Sequence, residues 1–315
     1  MDERLITIFG GAGFIGRHLV RKLAAADWRI RVVTRSPGLA GHLQPTGDVG
    51  QIVIQPLDNL DEPAIRRLVQ GSSAVVNLIG ILYETSRQRF DDIHGELPAR
   101  IARAATDAGV SRMVHVSAIG ADETSSSAYA RSKAKGEATL REAFAAAAIL
   151  RPSIVVGPED DFFNRFAGMA RLLPALPLIG GGKTQFQPIY VGDVADAVMA
   201  ALHQDNTAGK TYEIGGPQVY SFEDLLRYML DVIGKRRLLV DLPFGLASLQ
   251  ARILELLPVP PLTRDQVELL KTDNVVADDA LTLADLGLVP TPIELIVPSY
   301  LGRHRDQGER FETAS

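Results

Sequence analysis

The stretch FGGAGFIGRHLV at residues 9–20 constrains the chain more than any other. Gly10, Gly13 and Gly16 recur every third residue between an apolar run, LITIFG at 5–10, and a helical pattern near 14–26. A strand that reverses into a helix within so few residues needs backbone angles that a Cβ disfavours. The first glycine permits the tight turn, the second lets main chain approach a diphosphate, and the third lets helix and strand pack closely. Gly10, Gly11, Gly13, Phe14, Ile15 and Gly16 are therefore expected to cradle an anion at a helix N-terminus.

The loop gains weight from its place at the head of a regular alternation. Further apolar runs stand at 29–35 (RIRVVTR), 51–55 (QIVIQ), 74–80 (AVVNLIG), 112–117 (RMVHVS) and 148–157 (AILRPSIVVG). Helical patterns near 61–70, 89–108 and 128–147 separate them. Strands apolar on both faces and spaced by helices predict a parallel sheet covered on both sides. The fold class expected is α/β, a doubly wound Rossmann sheet with a smaller, mostly helical C-terminal substrate or docking lobe. Residues 1–155 form the dinucleotide domain, with 185–215 returning to it through the strand TYEIGG at 211–216. Residues 156–184 and 216–300 form the lobe, and 301–315 a polar tail. In the lobe, a helix near 221–233 opens on Ser221-Phe222-Glu223-Asp224, which resembles a capping box. A second, near 193–203, takes Asp193 as its N-cap. Leu246, Leu249, Ile253, Leu256 and Leu257 share one side of an amphipathic helix flanked by prolines, which either packs on its own lobe or docks on a partner or membrane surface.

The second run ends on Thr34 and Arg35 without an acidic residue. A carboxylate there would hold the 2′-hydroxyl of NAD, whereas a guanidinium suits a 2′-phosphate, so NADP(H) is favoured over NAD(H). Asp58 and Asn59 come after the third run and either meet the adenine or cap a loop. GGGKT at 180–184 resembles the end of a phosphate loop, but Pro177 stands where that motif begins with glycine, so a turn is the better reading.

Several function classes fall away. A net charge of −5 without a basic run argues against nucleic acid. Zero cysteines exclude disulfides, thiolate metal sites and thiol nucleophiles. The six histidines show no metal-ligand spacing, and no metal is expected. The opening MDERLITIFGG lacks a signal-like apolar segment, and no apolar run approaches the ~18 residues of a spanning helix. A cytoplasmic protein is expected, at most peripheral on the inner face of the cell membrane.

SSSAYARSKAKGE at 125–137 places Tyr129 one helical turn before Lys133. A neighbouring ammonium lowers the pKa of a phenol, which otherwise titrates near about 10, and so suits it to proton transfer. With this pair in view, the chain resembles the short-chain dehydrogenase/reductase superfamily in its atypical, extended form. The resemblance runs from about residue 4 to 275, through GGAGFIGRHLV, NLIGIL, RMVHVSAIGAD, YARSKAKGE, LRPSIVVGPEDDFFNRF and QPIYVGDVADAV. It is sharpest with the group that contains the nucleotide-binding accessory subunit of respiratory complex I and its bacterial relatives. The resemblance implies that Tyr129 is a general acid/base, that Lys133 lowers its pKa and holds the nicotinamide ribose, and that a serine polarises a carbonyl. Ser117 is the candidate, although extended relatives often carry this hydroxyl one or two residues later, where this chain has Ala118 and Ile119. Ser125 to Ser127 substitute only if their loop folds inward. Asn77 is a candidate cofactor contact, and Arg151 completes the cofactor set while shaping the passage into the lobe. His94 and His115 are expected to be satisfied by local hydrogen bonds.

Three readings stay open. One is an oxidoreductase linked to the respiratory chain or ubiquinone metabolism, acting on a small or prenylated substrate. Another is a non-catalytic accessory or assembly protein that holds its nucleotide and contacts respiratory-complex subunits. The third is a stand-alone epimerase or dehydratase acting on a nucleotide-sugar-like substrate.

Overall fold

The structure is a computed structural model that describes residues 4–57 and 61–304. The chain opens with β1 (Leu5–Phe9), α1 (Phe14–Ala25), β2 (Arg29–Thr34), β3 (Ile52–Pro56), α2 (Glu62–Val69) and β4 (Ala74–Asn77). Next come α3 (Leu97–Asp107), β5 (Arg112–Val116), α4 (Ala128–Ala143) and β6 (Ala148–Pro152). The chain then runs through β7 (Val155–Val156), α5 (Phe162–Leu172), β8 (Ala175–Ile179), β9 (Gln185–Phe186) and β10 (Ile189–Tyr190). After α6 (Val191–His203) and β11 (Thr211–Ile214) come β12 (Tyr220–Ser221), α7 (Phe222–Val232), β13 (Leu238–Leu242), α8 (Phe244–Leu254), α9 (Arg264–Leu269) and α10 (Ile293–Leu301).

Among the described residues, seven strands form one sheet in the order β11-β6-β5-β4-β1-β2-β3. Every neighbouring pair is parallel. β1 lies between β2 and β4, so the strand order reverses there, and the crevice beyond their carboxyl ends is where such sheets bind ligands. Ile6, Ile8, Val32, Val75, Val76 and Val114 are essentially inaccessible, as a sheet covered on both faces requires. Phe9, Val75, Leu97, Ile101, Leu140 and Ile149 belong to one core cluster beneath α3 and α4.

Two compact units emerge. The first comprises the chain to Pro152 together with Val191–Ile214 and Ala277–Val289. The segment 277–289, expected in the lobe, groups here because the Ala277 N–H donates to Glu213 Oε2 at 3.0 Å and Leu281 bridges Tyr212. The second unit comprises Ser153–Tyr190, Gly215–Val276 and the chain from Pro290. Its core gathers Phe163, Leu176, Phe222, Leu225 and Met229.

Four local expectations are corrected. The apolar run 148–157 is two strands, β6 and β7, broken where Asn274 Oδ1 accepts from Ser153 Oγ at 2.8 Å and from the Ile154 N–H at 3.1 Å. The stretch 89–108 is not one α-helix, because Asp91–Glu96 is a π-helical turn that precedes α3. α4 ends at Ala143 rather than running to 147. Asp193 is not an N-cap: α6 starts at Val191, and Asp193 lies buried inside its first turn. Ser221 and Asp224 do form a reciprocal capping box on α7. GGG at 180–182 is a turn with all three glycines at positive φ. On α8, Ala247 and Ala251 are buried while Leu246, Leu249 and Ile253 are 58%, 59% and 64% exposed. Leu256 and Leu257 just beyond it are also exposed.

Candidate active site

The turn after β1 forms because Gly10 takes φ +80°, its N–H donating to Val33 O at 3.1 Å. At Gly16 a Cβ would stand 2.5 Å from Gly10 O and Gly11 C, so only glycine lets the loop close against the helix. α1 starts at Phe14 with Gly13 as N-cap, no side chain caps it, and its first turn holds no acidic residue. Its leading amides are thus left to an outside acceptor, and the helix dipole favours a negative one. This uncapped, glycine-lined turn fits a dinucleotide diphosphate. Gly11 is buried and Phe14 and Ile15 are half-buried around it.

Arg35 comes directly after β2, is exposed, and is held by no ion pair among the described residues. Asp58, with Asn59, lies outside the described residues. Arg151 is committed elsewhere. Its Nε and Nη2 donate to the two oxygens of Glu137 at 2.9 and 2.7 Å, and Nη1 reaches Glu213 at 3.3 Å. That network raises its pKa further and turns the guanidinium onto Glu137 and Glu213.

α4 carries the tyrosine and lysine. Ser127 caps it, accepting from the Ala130 N–H at 3.2 Å, and Ser125 Oγ accepts from the Ser127 N–H at 3.2 Å. These serines are thus spent on the helix start. Tyr129 is half-buried, and Lys133 Nζ stands 5.7 Å from its ring centroid. Lys133 is only 4% exposed, and burial pulls its ammonium down to about 8, with Glu137 one turn on working in the opposite direction. A Cβ on Gly80 would come within 3.5 Å of Lys133 Nζ and 3.7 Å of His94 Nε2, so the loop after β4 passes directly over both side chains.

Asn77 ends β4 with no exposed surface. Its Oδ1 accepts from the Ile79 N–H at 3.1 Å and its Nδ2 faces His115 Nδ1 at 3.1 Å. Its amide therefore shapes the loop from beneath. His115 has its Nε2 buried without a partner among the described residues, and burial followed by the Lys133 charge pushes its pKa down to about 3. Ser117 stands just after β5 with its N–H donating to Leu150 O at 2.7 Å, yet its buried hydroxyl has no partner among the described residues. Buried hydroxyls are ordinarily paired, so this one stands out. His94 is satisfied by hydrogen bonds, but not local ones: Ser132 is 38 positions away and Ile81 is 13. It also meets the Tyr129 ring edge-on at 5.2 Å. Its position in an expected helix gave no sign of that neighbour.

Residues 6–215 match the model of the NAD dependent epimerase/dehydratase family. Proteins named NADH dehydrogenase [ubiquinone] 1 alpha subcomplex subunit 9, mitochondrial, are 38% identical. In Arabidopsis thaliana the match covers 97% of this chain and 79% of the relative, and in Mus musculus 95% and 80%. A ceramide reductase of Caulobacter vibrioides is 29% identical over 76% of this chain and 74% of its own. The crystal structure of an NADPH-dependent quinone oxidoreductase of Escherichia coli complexed with NADPH superposes with a TM-score of 0.73, at 20% identity. The match covers 94% of this chain and 99% of that one, and at such identity shows the fold alone. The expectation of a cytoplasmic protein is overturned by the 38% relatives, which are named as mitochondrial. Among the described residues no helix is long and apolar enough to cross a membrane. The chain belongs to the NAD dependent epimerase/dehydratase family, a nucleotide-binding family, and groups within it with the alpha subcomplex subunit 9 proteins.

Proposed function

We propose that the protein is an NADP(H)-binding oxidoreductase of the complex I accessory-subunit type, with Tyr129 as general acid/base, Lys133 as its electrostatic partner and Ser117 as carbonyl-polarising hydroxyl. The observation that carries this reading is the Tyr129–Lys133 pair itself, with the ammonium buried under the loop after β4 and 5.7 Å from the tyrosine ring. Burying a lysine costs stability, and groups perturbed in this way cluster where chemistry occurs. When bound, the reduced dinucleotide supplies a hydride to a carbonyl carbon. The Tyr129 hydroxyl then gives its proton to the carbonyl oxygen, Ser117 donates a hydrogen bond to that oxygen, and Lys133 offsets the charge left on the phenolate. The carbonyl becomes a carbinol.

Preference for NADP(H) is supported by Arg35, an exposed guanidinium after β2 where a carboxylate would favour NAD. Titration of NADPH and NADH, followed by fluorescence, tests it. Arg35→Ala is expected to weaken NADPH by about 10- to 100-fold, the scale of a charge-assisted hydrogen bond, and to leave NADH within a few-fold. Equal loss for both forms contradicts the assignment. Turnover is tested by mixing the NADPH complex with a short-chain ubiquinone or a long-chain ketone and following absorbance of the reduced nicotinamide.

A second reading, a subunit that holds its nucleotide and docks on a respiratory complex, is favoured by the names of the 38% relatives and by the exposed leucine stripe of α8. Such a stripe suits a subunit contact. Cofactor retained through purification, with respiratory subunits co-purifying and no turnover, would favour it over the catalytic reading.

A further inference from the structure

His94 sits in the π-helical turn Asp91–Glu96, and both its ring nitrogens are engaged. Nε2 accepts from the Ile81 N–H at 3.0 Å. Nδ1 lies 3.1 Å from Ser132 Oγ, and that hydroxyl donates to the carbonyl of Tyr129 at 2.7 Å. The directions are forced. A main-chain N–H can only donate, so Nε2 is unprotonated and the ring proton sits on Nδ1. Since the Ser132 hydrogen goes to Tyr129 O, its oxygen is free to accept from Nδ1. The chain Ile81 N–H to His94 to Ser132 to Tyr129 therefore has one polarity throughout.

Packing holds the same residue. The His94 ring stacks on Phe90 with centroids 5.4 Å apart, and Tyr129 meets Phe90 and His94 edge-on at 5.7 and 5.2 Å. One turn beyond Ser132, a Cβ on Gly136 would lie 1.8 Å from His94 O, so α4 closes on this turn only because glycine stands there. Burial first, and then the nearby Lys133 ammonium, push the imidazole down to about 2, so it stays neutral. Single π-turns within helices occur frequently at functional sites.

We propose that His94 is a positioning residue, a neutral imidazole of fixed tautomer that ties the loop after β4 to the turn of α4 carrying Tyr129, and so holds the phenol against Lys133. It rests on the oxidoreductase reading of Tyr129 and Lys133. Two activity-independent measurements and one rate test it. Nitrogen-15 NMR of the wild-type protein is expected to show His94 protonated on Nδ1 alone from pH 5 to 8. An imidazolium or the opposite tautomer overturns the proposal. Titration of carbon-13-labelled tyrosine, with NADP⁺ bound and Tyr129→Phe to assign the signal, is expected to show the Tyr129 phenol ionising at least about one pH unit higher in His94→Phe, which keeps the ring and loses both hydrogen bonds. His94→Gln, which retains an acceptor for Ile81, should recover much of the difference. In single turnover His94→Phe should be slower by about 10- to 100-fold, with its NADPH dissociation constant within about three-fold of wild type. If Tyr129→Phe is inactive while His94→Phe reacts and titrates like wild type, this inference fails and the oxidoreductase reading survives. If wild type shows no turnover with any acceptor, the oxidoreductase reading fails and the phenol titration alone decides the role of His94.

Discussion

α4 and α8 invert the usual rule in opposite senses. α4 turns Ser132, Lys133 and Glu137 inward, each less than 7% exposed, while α8 turns Leu246, Leu249 and Ile253 outward, each more than half exposed. Burying charge and exposing leucine both oppose folding, so neither is maintained by stability alone. On α4, Glu137 takes the Nε and Nη2 bonds of Arg151, while the Lys133 ammonium lies 5.7 Å from the Tyr129 ring. On α8 the outward leucines belong to no core cluster among the described residues. Under the proposed function, the inward charges of α4 serve chemistry and the outward apolar face of α8 serves contact with another surface.

That contrast is sharpest in stability. Glu137→Ala is expected to lose about 2–3 kcal/mol in urea unfolding, because it removes the two charge-assisted bonds to Arg151 and leaves that half-buried guanidinium with Glu213 alone. A loss below about 1 kcal/mol would break the claim that α4 depends on paired charge.

Lys133→Met should act the other way. The unfolded lysine holds its proton to about 10.5 and the folded one releases it at about 8, so below pH 8 the folded state carries the full penalty of a buried cation. The variant is expected to gain about 3 kcal/mol at pH 7, the gain shrinking as pH rises through 8 and vanishing near 10.5. Melts across this range check it, and a pH-independent difference contradicts it.

Below neutrality the two histidines near α4 set the slope. Both titrate far below their ordinary 6.5 when folded, at about 2 for His94 and about 3 for His115, so the unfolded chain binds protons that the folded one refuses. Stability is expected to fall as pH drops below 6.5, by about 1.4 kcal/mol per pH unit for each histidine, and His94→Gln should remove one share.

The smallest effect belongs to α8. Leu249→Glu with Ile253→Glu should change stability by no more than about 0.5 kcal/mol and leave NADPH binding intact, and under the docking reading it would abolish any co-purification with respiratory subunits. A large loss of stability would show that the stripe is core after all.

Much of this was legible in the sequence because the signals are local. β1, β2, β4 and β5 fall on runs apolar on both faces, and Tyr129 and Lys133 are one turn apart on a single helix. What escaped depends on contacts between distant residues. The break at Ser153 comes from Asn274, 121 positions away, and one of the bonds of Arg151 goes to Glu213, 62 positions on. His94 and Ser132 are 38 apart, and nothing in the pattern of 89–108 signals a π-turn. Nor did the pattern show the internal partners of Asn77 and Arg151, which are His115 and Glu137.

The most direct test of the account is single-turnover oxidation of bound NADPH by Tyr129→Phe beside wild type, with a short-chain ubiquinone and a long-chain ketone as acceptors. The account predicts equal NADPH affinity and a rate at least about 100-fold lower in the variant. Equal rates in the two proteins, at equal occupancy, would contradict it.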